Sequence, residues 1–185
     1  MLRLFVYGSL KRGQRYHRRY CRGAISVQEG IVRGRLYELP SGFPVLEVPA
    51  ADILAPGTAD PLADVATQAR LASQVTDATA IRPLGPHCGS WGYVRGEILT
   101  FADPAARLRA LDRFEEFSPG RPSPYRRVLV PAYAGPRCIL AWTYVEGTGR
   151  RPAGRWLPAG VWPAASPTAR TGARHRLAGL IAPKV

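Results

Sequence analysis

The stretch Leu4-Phe5-Val6-Tyr7-Gly8-Ser9-Leu10, close to the start of the chain, decides how the rest is read. Leu4, Phe5 and Val6 form a short apolar run of the kind that fills a buried strand. Tyr7-Gly8-Ser9 breaks the run, because glycine takes backbone angles closed to other residues. The composition then turns at once to Lys11-Arg12-Gly13-Gln14-Arg15. A buried strand that stops at Gly-Ser leaves backbone N–H groups without a ladder partner, placed to cradle an anion or a carbonyl oxygen. Turns of this sort are more often structural than functional. What gives this one chemical meaning is a glutamate far along the chain, Glu115.

Glu115 closes the clearest helical pattern in the sequence. Asp103 suits the N-cap, Pro104 suits the first helical position, and Ala105 to Phe114 holds no breaker. At ~100° per residue Leu108, Leu111 and Glu115 fall within one stripe, so a glutamate points at or beside the core. Burial there favours the neutral carboxyl and raises its pKa, which suits it to take and return a proton near neutral pH. Geometry alone leaves a second reading open, in which the helix ends near Phe114 and Glu115 swings out beside Glu116. Asp112, about 40° from Leu108 on the helical wheel, is the rival carboxylate, or else the partner of an arginine such as Arg109 or Arg113. Glu116 points further aside.

Outward from these two stretches, residues 31–39 read as a strand closed by the turn Pro40-Ser41-Gly42, and 43–46 as a short apolar segment. Residues 91–99, 125–133 and 138–145 are further strands, the last two joined by Ala-Gly-Pro. Tyr16 and Tyr20 share one face of a short helical turn, and His17 reads as a surface residue rather than a general base. Residues 47–90 are rich in Ala, Asp, Thr and Pro and read as an insertion. Within it, Asp60-Pro61 starts a helix through about Gln74, with Leu62, Val65, Ala69 and Ala72 on one side. The expected organisation is one domain over 1–164, carrying that insertion, followed by a basic tail over 165–185 expected to be disordered.

Length and composition agree with one domain. Apolar residues are 46% and charged residues 21% of the 185, so the chain has the means to bury a core. The three cysteines, Cys21, Cys88 and Cys138, lack Cys-x-x-Cys spacing, which argues against a disulfide framework or structural zinc and for a reducing cytoplasm. The net charge of +13 is almost wholly arginine, since Lys11 and Lys184 are the only lysines. Charge of this kind attracts nucleic acid non-specifically. No recognition helix, zinc finger or ribonucleoprotein aromatic motif accompanies it, so nucleic acid is disfavoured as a partner. The apolar start is shorter than a signal peptide's, and nowhere do the roughly 18 apolar residues of a membrane span occur together. No Ser-His-Asp or Cys-His arrangement, metal-ligand spacing, P-loop or Gly-x-Gly-x-x-Gly is present. The chemistry readable from the residues is one carboxylate plus backbone donors.

These pieces, in this order, resemble the gamma-glutamylcyclotransferase-like family, which includes gamma-glutamylamine cyclotransferases and avirulence-induced proteins. The resemblance lies in Val6-Tyr7-Gly8-Ser9-Leu10-Lys11-Arg12-Gly13, in Gly34-Arg35-Leu36-Tyr37 with Gly42-Phe43-Pro44, and in Val94-Arg95-Gly96-Glu97. It continues in Leu111-Asp112-Arg113-Phe114-Glu115, in Tyr125-Arg126-Arg127-Val128, and more weakly in Gly160-Val161-Trp162. Residues 1–46 and 91–146 carry it. It implies a mixed α/β fold, a small six-stranded β-barrel with flanking helices. It further implies Glu115 as catalytic acid/base, and Tyr7, Gly8, Ser9, Leu10 and Tyr125 as the residues that bind a small gamma-glutamyl substrate. The implied reaction releases 5-oxoproline and an amine by attack of the substrate's own α-amine, and needs no cofactor or metal. The alternative is a non-catalytic homologue that binds a small molecule on the same fold. One departure stands out: Glu116 replaces the glycine that usually follows the family's catalytic glutamate.

Overall fold

Leu2–Val6 forms the first strand, β1, and its side chains are buried on both faces, with Leu2, Leu4, Phe5 and Val6 all at 3% exposure or less. That is why it reads as an unbroken apolar run instead of an alternating one. The computed structural model describes residues 1–74 and 91–162, and within them β1 is the middle of a closed sheet. It pairs antiparallel with β5 (Gly92–Phe101), from Leu2↔Phe101 to Val6↔Glu97, and parallel with β7 (Arg137–Glu146) at Leu4↔Trp142. β7 forms a hairpin with β6 (Tyr125–Ala134), and β5 pairs with β2 (Ser26–Glu38). β2 meets β6 at Ile31↔Tyr133, which closes the ring β2-β5-β1-β7-β6.

The mixed α/β barrel expected from the sequence is therefore present, as a closed ring of five strands with shorter strands added to it. β3 (Pro44–Glu47) and β8 (Arg155–Trp156) pair with β2, and β4 (Ala55–Pro56) pairs with β6. β2 is long enough to serve two partners, β5 from Ser26 to Gly34 and β3 from Arg35 to Glu38. Its first half, Ser-Val-Gln-Glu-Gly, is too polar to signal a strand and was not expected to be one.

Among the described residues three α-helices accompany the ring: α1 (His17–Tyr20), α2 (Pro61–Gln74) and α3 (Pro104–Phe114). Two apolar clusters divide the core. Phe5, Val32, Val94, Ile98, Val128, Val130 and Ala141 belong to the one built without helical residues. Leu2, Leu4, Leu99, Phe101, Leu129 and Trp142 belong to the other, which takes in Leu108 and Leu111 of α3, both fully buried as the helical stripe requires. Tyr16 and Tyr20 do share a face, and both rings stack against Phe114, at 4.9 and 4.4 Å between centroids.

Two helical expectations need correction. Asp103 makes no side-chain cap; its carboxylate accepts from Arg107 Nη2 at 3.1 Å, while Pro104 takes the first helical position as expected. The fully buried residues of α2 are Pro61, Asp64 and Gln68; of the expected apolar face Val65 and Ala72 pack against the core, while Leu62 is 60% exposed and Ala69 is on the outside. The apolar pattern misleads because both polar residues are fully partnered. Gln68 Nε2 donates to the carbonyls of Leu140 at 2.7 Å and Arg3 at 3.2 Å, and its Oε1 accepts from Arg3 N at 3.2 Å. Its amide thus bridges β1 and β7 next to their single register pair. Asp64 meets Arg127. Residues 75–90 and the tail over 165–185 lie outside the described residues. Among the described residues no helix is long and apolar enough to cross a membrane.

Gly96 shows how tightly β1 and β5 are built. A Cβ there would lie 2.3 Å from the Val6 carbonyl oxygen and 2.6 Å from the Phe5 ring. Backbone cannot yield as a flexible side chain does, so Gly96→Ala is expected to cost about 3 kcal/mol, the upper part of the overpacking range. Chemical denaturation checks this, and a loss below about 1 kcal/mol would mean that the two strands are spaced more widely in solution.

Candidate active site

The pocket lies where β1 gives out. It is lined by Phe5 through Leu10, by Phe43 and Pro44 ahead of and in β3, by Phe114 and Glu115 at the end of α3, and by Tyr125 and Tyr144. Its enclosed space is narrow, about 30 Å³. Glu115, Tyr7, Gly8, Ser9, Leu10 and Tyr125, all named above from the sequence, are brought together here.

The loop after β1 has its carbonyls tied back and its amides left over. Gly8 O accepts from Lys11 N and Ser9 O accepts from Tyr16 N, both at 3.0 Å, and Leu10 O lies 2.7 Å from His17 Nδ1. His17 is accordingly half-buried and braces the loop, which corrects its reading as a surface residue. Glu97 clamps the far end, accepting from Arg12 N at 2.8 Å and Arg12 Nε at 3.0 Å, so two separate sequence motifs meet in one contact. Among the described residues nothing accepts from the amides of Gly8, Ser9 or Leu10. Gly8 also has to be glycine, since a Cβ would come within 2.6 Å of Pro44 Cγ.

Glu115 belongs to the lining of the same pocket as this loop. Its N–H donates to Leu111 O at 2.8 Å, which continues the last turn and carries its side chain on the Leu108–Leu111 face. The reading in which it swings out to solvent does not hold. Desolvation first, and the charge of Asp112 second, raise its pKa to about 8. Burial likewise pushes the Tyr7, Tyr125 and Tyr144 phenols well above their ordinary range, so all three stay neutral. Their hydroxyls are committed: Tyr7 donates to Tyr144 O at 2.9 Å, Tyr125 to Pro44 O at 3.3 Å, and Tyr144 to Asp112 Oδ1 at 2.7 Å. The phenols shape the wall, and Glu115 is the one carboxylate in the lining.

Behind this wall is a group the sequence reading missed. The Arg127 side chain is fully buried, pairs with both Asp112 and Asp64, and donates to Thr58 O at 2.9 Å. Asp112 thus takes neither Arg109 nor Arg113 as its partner. Arginine–carboxylate pairs between segments so far apart leave no local sequence signal. Tyr144 went unnoticed for a different reason, since it is one more aromatic in a strand. Among the described residues no three His, Cys, Asp or Glu side chains are grouped as a metal site needs.

The family model described as gamma-glutamyl cyclotransferase, AIG2-like matches residues 4–71 and 62–164. The chain belongs to this family. In structure it is similar to a protein of Pyrococcus horikoshii, with TM-score 0.50 and 17% identity over 88% of this chain and 90% of that one. It is similar also to YkqA from Bacillus subtilis (TM-score 0.49, 16% identity, 87% of this chain), of which it spans 39%. A mouse AIG2-like protein gives a TM-score of 0.41 and 18% identity over 81% of this chain and 80% of that one. Identities this low speak to fold alone. No protein of curated function matches the chain in sequence.

Family membership makes sense of Glu116, which stands at the position of the pattern's usual glycine. Its φ is +54°, the only positive value on a non-glycine residue among those described. Phe117 N donates to Asp112 O at 2.8 Å, the closing bond of a Schellman-type helix end, whose preceding residue must be left-handed. A side chain there costs about 1 kcal/mol. Glu116→Gly is therefore expected to stabilise the fold by about that amount in equilibrium unfolding; an unchanged or lower stability would show that the turn does not strain the glutamate.

The position of Glu115 carries its own cost. Its folded pKa of about 8 lies above the usual 4.5, so the folded state binds this proton more tightly. Its contribution is present at low pH and is lost as pH rises toward 8. The wild type is expected to lose about 2–4 kcal/mol more than Glu115→Gln between pH 5 and pH 9, the full shift being discounted for the part of the residue left open to the pocket. Parallel pH dependence of the two stabilities would show that the carboxyl is not desolvated.

Proposed function

We propose that this protein is a gamma-glutamyl cyclotransferase that releases 5-oxoproline and a free amine from a gamma-glutamyl amine or dipeptide. The observation that carries the reading is that the desolvated carboxyl of Glu115 and the unclaimed amides of Gly8, Ser9 and Leu10 belong to the lining of one small pocket. The amides supply hydrogen-bond donors for the anionic end of a gamma-glutamyl group or for the oxygen that gains charge during attack. Glu115 supplies a base whose proton affinity burial has raised toward that of an amine. The smaller gap makes proton transfer from the substrate's α-ammonium easier than to an ordinary glutamate.

In the proposed reaction the Glu115 carboxylate takes a proton from the substrate α-ammonium. The freed nitrogen lone pair attacks the γ-carbonyl carbon of the same molecule and forms the new C–N bond. The loop amides hold the resulting oxyanion. As the intermediate collapses, the bond to the leaving nitrogen breaks and that nitrogen takes the proton back from Glu115. The ring nitrogen, left with two hydrogens by the attack, gives one to the freed carboxylate, which passes it to the departing amine, so the products are the lactam and an ammonium ion. Nucleophile and electrophile share one molecule, so the pocket has chiefly to hold it folded for ring closure. The walls are suited to this, since Phe43, Pro44, Phe114 and the three committed tyrosines offer shape and little competing polarity.

The test is 5-oxoproline release from a panel of gamma-glutamyl amines and dipeptides, with wild type beside Glu115→Gln. Release by the wild type is expected, with kcat/KM rising with pH to a midpoint near the Glu115 value of about 8. The variant is expected to lose at least about a hundredfold in rate. Turnover in Glu115→Gln at the wild-type rate would remove Glu115 from the chemistry. Release from no substrate in the panel would favour a binding role for the same pocket.

A further inference from the structure

Two carboxylates one helical turn apart in a desolvated setting cannot both ionise cheaply, so one of them holds a proton near neutral pH. Glu115 and Asp112 are such a pair, at i and i−3 on α3. What distinguishes them is the environment behind the pocket. Asp112 accepts from Arg127 Nη1 and, at 2.7 Å, from the Tyr144 hydroxyl. Arg127 has no exposed side-chain surface, stands 5.0 Å from the Phe117 ring centroid and 5.7 Å from that of Trp142, and cannot turn away to solvent. Its other end is held by Asp64 of α2, whose carboxylate is 2% exposed and also accepts from Thr58 N at 3.0 Å and Thr58 Oγ1 at 2.9 Å. One guanidinium thus faces two carboxylates.

We propose that Asp112 is a positioning residue for Glu115: clamped by Arg127 and Tyr144, with Arg127 anchored by Asp64 of α2, it carries the fixed negative charge that leaves the proton with Glu115. This rests on the proposed role of Glu115 in proton transfer. Ionisable groups that interact with Glu115 include Asp112 on the same helix, Tyr7 after β1, Cys21 after α1, Tyr125 on β6 and Tyr144 on β7. Burial keeps the three phenols neutral and pushes the Cys21 thiol up to about 12, so it is neutral too. Asp112 is the member of this group that brings charge. Burial raises its own carboxyl as well, against the pull of Arg127 and Tyr144, which favour the ionised form. Among the described residues Glu115 has no such partners, and the arginine thereby assigns the proton. Helix α2, far from the reacting atoms, is tied to the working pH through Asp64.

The experiment is carboxyl-carbon NMR titration of the full chain without ligand, comparing wild type, Asp112→Asn, Asp64→Asn and the surface control Asp103→Asn. Asp112→Asn keeps an acceptor for both Arg127 and Tyr144, so the fold should survive. It is expected to weaken proton binding at Glu115 by about tenfold or more, and to move the rising limb of kcat/KM to lower pH by the same amount. Asp64→Asn leaves Arg127 to neutralise Asp112 more fully, so it shifts Glu115 in the same direction by less, and Asp103→Asn shifts nothing. An unmoved Glu115 midpoint in Asp112→Asn overturns the proposal, as does an equal shift in Asp103→Asn. Should Asp112→Asn not fold, an unmoved midpoint in Asp64→Asn overturns it. The titration needs no turnover, so a wild type that released no 5-oxoproline would sink the proposed activity and leave this measurement to stand or fall by itself.

Discussion

A single buried guanidinium ties the functional half of this molecule together. Arg127 projects from β6 and meets Asp64 of α2 and Asp112 of α3, so three elements with no local sequence connection share one charge cluster. Taking three charges out of water is costly, and replacement of such clusters by apolar residues is often neutral or stabilising in other proteins. Stability alone is therefore a poor reason for it. Its geometry offers a better one: the cluster lies directly behind the pocket wall, one helical turn from Glu115, and Tyr144 belongs to both, lining the pocket with its ring and bonding Asp112 with its hydroxyl.

The pocket itself combines a destabilised carboxyl with a loop whose hydrogen bonds are half spent. Carbonyls of Gly8, Ser9 and Leu10 are tied to Lys11, Tyr16 and His17, while their amides are left for a ligand. Braced on one side by His17 and on the other by Glu97, the loop is held before any substrate arrives, and preorganised donors of this kind need no rearrangement as charge develops. The end of α3 is held too, by the left-handed Glu116 and the Phe117-to-Asp112 bond that sets where Glu115 points. Strain at one residue and desolvation at its neighbour are the kinds of local expense that cluster at working sites.

How much of this was legible beforehand depends on the range of the interaction. The β1 run, the stop at Gly8 and the Leu108–Leu111–Glu115 stripe are local patterns; the first two led to a buried strand and a loop with free amides, and the third left open whether Glu115 turns inward or out to solvent. The long reach of β2 was hidden because its first half is polar and its pairing with β5 is supplied by tertiary context. The face of α2 was misjudged in part because periodicity counts apolar residues. What α2 buries fully includes Asp64 and Gln68, each with a distant partner. Arg127 was invisible as a functional group for the same reason, being one arginine in a chain of net charge +13.

That abundance of arginine makes the pocket lining informative, since no arginine or lysine belongs to it. A guanidinium within about 4–6 Å of Glu115 would favour its charged form and pull its pKa down by about 1–3 units, back toward an ordinary glutamate. Such an arginine would bind a substrate carboxylate well and remove the base that the chemistry needs. Under the proposed reaction, backbone amides would recognise the same carboxylate with partial charges and leave the glutamate unpaired. Arg127 is outside the lining and bonded to Asp112, whose negative charge raises the Glu115 pKa. The same arginine at the front of the wall and behind it would have opposite effects on catalysis, and the buried position of Asp64 is what keeps it behind.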